Sequence, residues 1–159
     1  MNKSLVSLNL SLNRLDDKAG SKLCIDLLNN NSGLRFIGLS SNQLGNMFCE
    51  SLSEFLKMNE SITEVDISCN NIQESNAETL MDSLSDNGNI INIDVRSNEF
   101  SKETQEAILE IVTRNYLRQQ NIAYRKIPSD CKCSCANARL VVGKVIGTVE
   151  ESLPDSPSK

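Results

Sequence analysis

Five positions recur along this chain every 28 or 29 residues, and that recurrence constrains its fold more than any other feature. Leu5, Leu8, Leu10, Asn13 and Leu15 follow the spacing L-x-x-L-x-L-x-x-N-x-L. The spacing returns as Leu34, Ile37, Leu39, Asn42 and Leu44, then as Ile62, Val65, Ile67, Asn70 and Ile72. A fourth copy is Ile90, Ile93, Val95, Asn98 and Phe100. All five positions hold in all four copies, which is beyond coincidence. Behind each copy runs a second set spaced by four: Ala19, Leu23 and Leu27; Phe48, Leu52 and Leu56; Asn76, Leu80 and Leu84; Thr104, Ile108 and Val112. The period of the first segment is that of a strand and the period of the second that of a helix. Each helix is expected to stop at an asparagine, Asn31, Asn59, Asn87 or Asn115, because Asn tolerates the left-handed conformation that ends helices. Asn2 holds the equivalent place before the first strand.

One short strand and one helix cannot bury their apolar faces alone. Stacked units can, with parallel strands on one face and helices on the other, and because helices are bulkier the stack must curve. The expected fold is therefore α/β, a short right-handed horseshoe of four strand–helix repeats with an irregular C-terminal extension. Asn13, Asn42, Asn70 and Asn98 should form a ladder whose side-chain amides satisfy the backbone groups left open at each turn.

The segments NQLGNMFCESLSEFLKMN (42–59), NNIQESNAETLMDSLSDN (70–87) and ESITEVDISCN resemble the leucine-rich repeats of the ribonuclease-inhibitor type. That resemblance spans residues 2–115 and implies a horseshoe solenoid. It leaves function open, since the family includes nuclease inhibitors, innate immune sensors, activators of small GTPases and axonemal subunits. The last repeat departs from the family pattern with FSKETQEAI and resembles the closing repeat of axonemal members, those of the nexin–dynein regulatory complex among them.

In a strand alternate side chains face opposite sides, so residues between the buried leucines face the concave side. These are Ser7, Asn9 and Ser11; Phe36, Gly38 and Ser40; Glu64, Asp66 and Ser68; Asn92, Asp94 and Arg96. As a binding face, Phe36 would be its anchor, and Glu64, Asp66, Asn92, Asp94 and Arg96 its polar remainder, attracting a Lys- or Arg-bearing partner. The alternative is a solvated sheet face with scattered charges. The first strand has no covering segment, which implies either a longer array or a partner subunit packed on that edge.

After Asn115 the repeat fails, because the next register would put Arg118, Asn121 and Ala123 at core positions. Residues 1–115 are therefore assigned to the repeat domain and 116–159 to a cap and tail. Residues 116–127 would fold Leu117, Ile122 and Tyr124 over the last repeat, residues 140–149 are rich in β-branched side chains and suggest a strand or hairpin, and the end is expected to be disordered. Cys131, Cys133 and Cys135 could offer thiolates to zinc, but structural sites normally take four ligands with wider spacing, so free thiols and no metal are expected. Cys24, Cys49 and Cys69 stand apart in apolar surroundings and read as reduced core residues.

The 159 residues contain no His, which removes the usual general base and commonest metal ligand, and no phosphate loop, dinucleotide fingerprint or nucleophile elbow is present. No enzyme and no cofactor are expected. Residues 1–115 carry nine basic and seventeen acidic side chains, a net −8, and the rest a net +3, a balance suited to a basic protein surface rather than nucleic acid. With no long apolar run, the chain reads as cytoplasmic, without a membrane span. The functional expectation is a protein-interaction module, a structural or scaffold subunit of a larger assembly such as a ciliary or flagellar axoneme complex. The alternatives are a soluble regulator, GTPase-activating through Arg96 or inhibitor-like, and a fragment of a longer receptor.

Overall fold

Parallel strands need a crossover between them, and in this chain every crossover contains a helix. The computed structural model describes residues 4–30 and 33–120, with the backbone alone for 28–30. Four strands, β1 (Ser7–Asn9), β2 (Phe36–Gly38), β3 (Glu64–Asp66) and β4 (Asn92–Asp94), alternate with helices α1 (Asp17–Asn30), α2 (Asn46–Met58), α3 (Ala77–Asn87) and α4 (Lys102–Gln119). A single 3-10 turn, Glu74–Asn76, leads into α3. The strands pair in parallel in sequence order, with Leu8, Ile37, Val65 and Ile93 as one row of register partners. That row faces the helices, which pack each on the next, and all these elements belong to one compact unit.

The hydrogen-bond ladder runs past the strand ends. Leu10, Leu39 and Ile67 donate their N–H groups to Gly38, Asp66 and Asp94 of the following repeat at 2.7–2.9 Å. Two residues later comes a left-handed residue in each repeat, Leu12, Ser41, Cys69 or Ser97, with φ of 54–60°. None is glycine, although the conformation costs an L-residue roughly 1–2 kcal/mol. What holds it is the neighbour on each side. Leu12, Ser41 and Cys69 donate to the carbonyls of Ser40, Ser68 and Arg96, and the ladder asparagine follows directly. Asn70 donates from Nδ2 to the carbonyls of Leu39 (3.0 Å), Ile67 (3.0 Å) and Ser68 (3.1 Å), and its Oδ1 accepts from Leu44 N (3.2 Å). Asn42 repeats this with Leu10, Leu39 and Ser40 as acceptors and Leu15 N as donor, and Asn98 with Ile67, Val95 and Ile72 N. Among the described residues Asn13 reaches only Leu10 and Ser11 of its own turn.

Between the layers, Leu34, Ile37, Leu39, Leu44, Phe48 and Leu52 of the second repeat are 0–1% exposed. Their first-repeat counterparts Leu5, Leu8, Leu10, Leu15 and Leu23 are only partly buried, and Ala19 is exposed. Gly20 lets α1 approach α2: a Cβ there would lie 2.6 Å from Phe48 Cδ2 and 2.7 Å from Leu44 Cδ2.

Two expectations need correction. The repeated asparagines that the structure describes, Asn59, Asn87 and Asn115, do not end helices by turning left-handed. Asn59 is extended (φ −91°, ψ 125°), the left-handed residue after α3 is Gly88, and Asn115 lies inside α4. They act through their side chains: Asn87 Nδ2 donates to the carbonyls of Leu56 and Asn59 while its Oδ1 accepts from Asn89 N and Ile90 N, and Asn115 Nδ2 donates to Leu84 and Ile90. Cys24 and Cys49 are buried as expected, but Cys69 is exposed because it occupies the left-handed turn. Asn2, Asn31, Ile122, Tyr124, Cys131, Cys133, Cys135 and the β-rich stretch 140–149 lie outside the described residues.

Candidate functional site: the open face of the sheet

Strand register alone assembles the candidate face. Ser7, Phe36, Glu64 and Asn92 form one row of partners and Asn9, Gly38, Asp66 and Asp94 the next. All stand opposite the central residues that enter the core. Parallel strands are about 4.8 Å apart, so Asp66 and Asp94 are neighbouring carboxylates, an arrangement unfavourable unless something neutralises it.

Each polar residue of the second row turns back on its own strand end. Asn9 Oδ1 accepts from Ser11 N at 2.9 Å, Asp66 Oδ1 from Ser68 N at 3.0 Å, and Asp94 Oδ1 from Arg96 N at 3.0 Å. The signal for this was in the sequence as N-L-S, D-I-S and D-V-R, the side-chain-to-backbone turn that Asn and Asp make two residues on. Gly38 cannot make it. A Cβ at Gly38 would lie 3.1 Å from Phe36 Cζ and 3.0 Å from Asn9 Oδ1, so the half-buried Phe36 ring leans over the glycine.

Arg96 closes on Asp94. Its Nε lies 2.9 Å from Oδ1 and 3.1 Å from Oδ2, and Nη2 lies 2.5 Å from Oδ2. Burial works against the Asp94 charge, but the hydrogen bonds and positive charge of Arg96 more than offset it, and the carboxyl sits below its ordinary range. The same contacts, the Asp94 hydrogen bond first, raise Arg96. Glu64 is exposed and, among the described residues, receives only a long 3.5 Å contact from Asn92 Nδ2. The register thus brings Glu64, Asp66, Asn92, Asp94 and Arg96 into one patch, with Phe36 beside it. Further acid stands elsewhere: Glu50, Glu54, Glu78, Asp82, Glu106 and Glu110 are exposed on α2, α3 and α4.

A third set of contacts ties the helix starts together. Asp17 Oδ1 accepts from Gly45 N, Asn46 Oδ1 from Gln73 N (2.9 Å), and Glu74 from Ser101 N (2.7 Å). Glu74 also accepts from the hydroxyls of Thr104 (2.5 Å) and Ser101 (2.9 Å), which holds its carboxyl below the usual range, Thr104 contributing most. These residues brace the array. Among the described residues no group of three His, Cys, Asp or Glu is placed to hold a metal ion, and no helix is long and apolar enough to cross a membrane.

No protein-family model matches the chain, and no curated protein matches it at the sequence level. Solved structures do. The structure of leiomodin-1 actin-binding site 2 is similar with a TM-score of 0.65 and 18% identity over 73% of this chain, which spans 66% of the leiomodin chain, just under two thirds. The tropomodulin C-terminal domain of Caenorhabditis elegans is similar with a TM-score of 0.51 and 13% identity, over 74% of this chain and 88% of that one. At such identities the likeness concerns the fold, a leucine-rich-repeat-type solenoid of parallel strands and helices.

Proposed function

We propose that this chain is a non-enzymatic protein-interaction module of a cytoskeletal assembly, built on a repeat of the helical ribonuclease-inhibitor type, and that it meets its partner through the concave strand face. The observation that carries the reading is the register patch, in which Glu64 and Asp66 hold exposed or half-exposed charge beside the Arg96-neutralised Asp94. Such a patch suits a partner surface bearing Lys or Arg. The fold adds a cytoskeletal direction, since one structural neighbour is the actin-binding site 2 of leiomodin-1, so actin is the first partner to test. Neither neighbour is an axonemal protein by name, and that narrower placement rests on FSKETQEAI alone. The partly buried leucines of the first repeat fit a second contact, a neighbouring subunit on the β1 edge. The GTPase-activating alternative loses ground, because Arg96 is folded onto Asp94 rather than projecting.

The test is co-sedimentation of the full chain with actin filaments, alongside the Glu64→Gln/Asp66→Asn double variant. Pelleting that the variant weakens supports both partner and face. Pelleting unchanged in the variant moves the contact off this face, and no pelleting at all removes actin as the partner.

A further inference from the structure

We propose that the β1 edge is covered by a second copy of this chain, related by a twofold axis that runs β1 antiparallel to its counterpart and sets the two α1 helices side by side. The inference rests on the reading that a neighbouring subunit packs on that edge, and it names the subunit. Among the described residues β1 ends the sheet. Val6 accepts from Arg35 N and Phe36 N, and Leu10 N donates to Gly38, so residues of even number face β2, and Ser7 and Asn9 aim their N–H and C=O groups outward. Beneath that row the apolar layer is unfinished too. Leu5, Leu8, Leu10 and Leu15 are half-buried where Leu34, Ile37, Leu39 and Leu44, their counterparts one repeat later, are fully buried.

The helix layer has the same open side. Phe48 lies against Gly20, and Ser51 Oγ donates to Ser21 Oγ at 2.9 Å, so Phe48 and Ser51 mark the face of α2 that packs on the preceding helix. Ala19 and Lys22 hold the same register in α1, and Asp26, one turn beyond Lys22, continues their line. All three are exposed. An extended peptide would complete the strand row and leave this helix face bare, so the occupant must bring a strand and a helix together, as the first repeat of this chain does. The charges of that face also complement themselves. Lys22 and Asp26 form an ion pair along the helix at 3.2 Å, and a twofold axis at the level of Cys24 carries each Lys22 to the partner's Asp26. Cys24 stands at the middle of α1 as Leu8 does of β1, and α1 runs back against the direction of β1, so one axis serves both layers. In the strand layer it lets Ser7 and the partner's Asn9 exchange backbone hydrogen bonds and sets Leu8 on the partner's Leu8.

The test measures the mass of the full chain by sedimentation equilibrium across the micromolar range at low salt, where a dimer of twice 17.6 kDa is expected. Ser7→Pro removes an outward N–H, touches no bond to β2 and should leave a monomer. Lys22→Glu and Asp26→Lys, both at exposed positions, should each weaken the dimer about tenfold, because the axis repeats the like-charge contact. An equimolar mixture of these two variants should recover the affinity of the parent, since every charge then meets its opposite. Circular dichroism checks that each variant is folded, and the charge exchange decides should Ser7→Pro not fold. A monomer at every concentration, a dimer that folded Ser7→Pro leaves intact, or a mixture no tighter than its parts overturns the second copy. The reading of a subunit-covered edge fails separately, if Ser7→Pro also leaves pelleting with actin filaments unchanged.

Discussion

Replacing Asn70 by alanine removes four hydrogen bonds, yet the structure limits what that costs. Three of the four are donated by Nδ2 to carbonyls that keep another partner: Leu39 retains Asn42 Nδ2 at 2.9 Å, Ile67 retains Asn98 Nδ2 at 2.9 Å, and Ser68 retains Ser41 N at 3.0 Å. Only Leu44 N, which donates to Asn70 Oδ1, is left buried without its partner. One orphaned buried N–H costs about 1–3 kcal/mol, and the weakened carbonyl bonds add a fraction of that, so a loss of about 2–3 kcal/mol is expected. Asn13→Ala provides the contrast. Asn13 is exposed, Leu10 keeps Asn42 Nδ2 at 3.1 Å, and the expected loss is below about 1 kcal/mol. Urea unfolding followed by circular dichroism reads both, with the m-value unchanged if only stability moves. Equal losses at Asn13 and Asn70 would refute the claim that the rungs matter through the repeat they bridge.

Gly20→Ala should destabilise by a net of about 1–2 kcal/mol, the clash with the buried Phe48 ring and Leu44 outweighing the roughly 1 kcal/mol regained in helix propensity; a variant as stable as the parent in urea would show that the α1–α2 contact yields freely. Burial pushes the Cys24 and Cys49 thiols up to about 12, so iodoacetamide at pH 8 should modify exposed Cys69 first among these three, the order vanishing in urea when modified peptides are mapped by mass. Asp94 is held below its unfolded value, so its pairing contributes above that value and is lost as pH falls through the folded one. The stability gap between the parent and Arg96→Ala should therefore be open at pH 7, at no more than about 1 kcal/mol for so exposed a pair, and should close in acid below about pH 4; a gap independent of pH would sink that account.

The layers of this fold were legible because each depends on spacing alone. A leucine at every second strand position and an apolar residue at every fourth helix position leave little freedom once the unit repeats, and Ile37, Val65 and Ile93 fall where the spacing puts them. The candidate face was legible only as a set of residues. Alternation names Asp66 and Asp94 but does not reveal that each spends one oxygen on its own backbone, which changes what remains for a partner. Phe36 reads as a projecting anchor until Gly38 is seen to leave room for its ring to lie down. Cys69 reads as a core residue until the left-handed turn before each ladder asparagine carries it outward.

The second set of asparagines shows why one residue type in one register can mislead. Asn has two ways to serve a helix end: its backbone can turn left-handed, or its amide can bond to the groups the helix leaves open. The sequence cannot separate them, since both require the same residue in the same place. Stacking decides, because the carbonyls at the end of one helix lie within reach of the side chain one repeat later, as Leu56 does for Asn87 and Leu84 for Asn115. An amide used across repeats needs no left-handed backbone, so Asn115 can sit inside α4 and still serve α3. Its Oδ1 shows where the pattern ends. The corresponding oxygen of Asn87 takes two N–H groups from the loop that follows, but after Asn115 the chain stays helical and keeps those groups for itself, leaving the buried Oδ1 without a partner among the described residues. A rung that closes backward and has nothing to accept forward carries the cost of one unsatisfied oxygen, about 1–3 kcal/mol. Exchanging it for an apolar residue would instead strip the donor from Leu84 and Ile90, two carbonyls buried by the same stack.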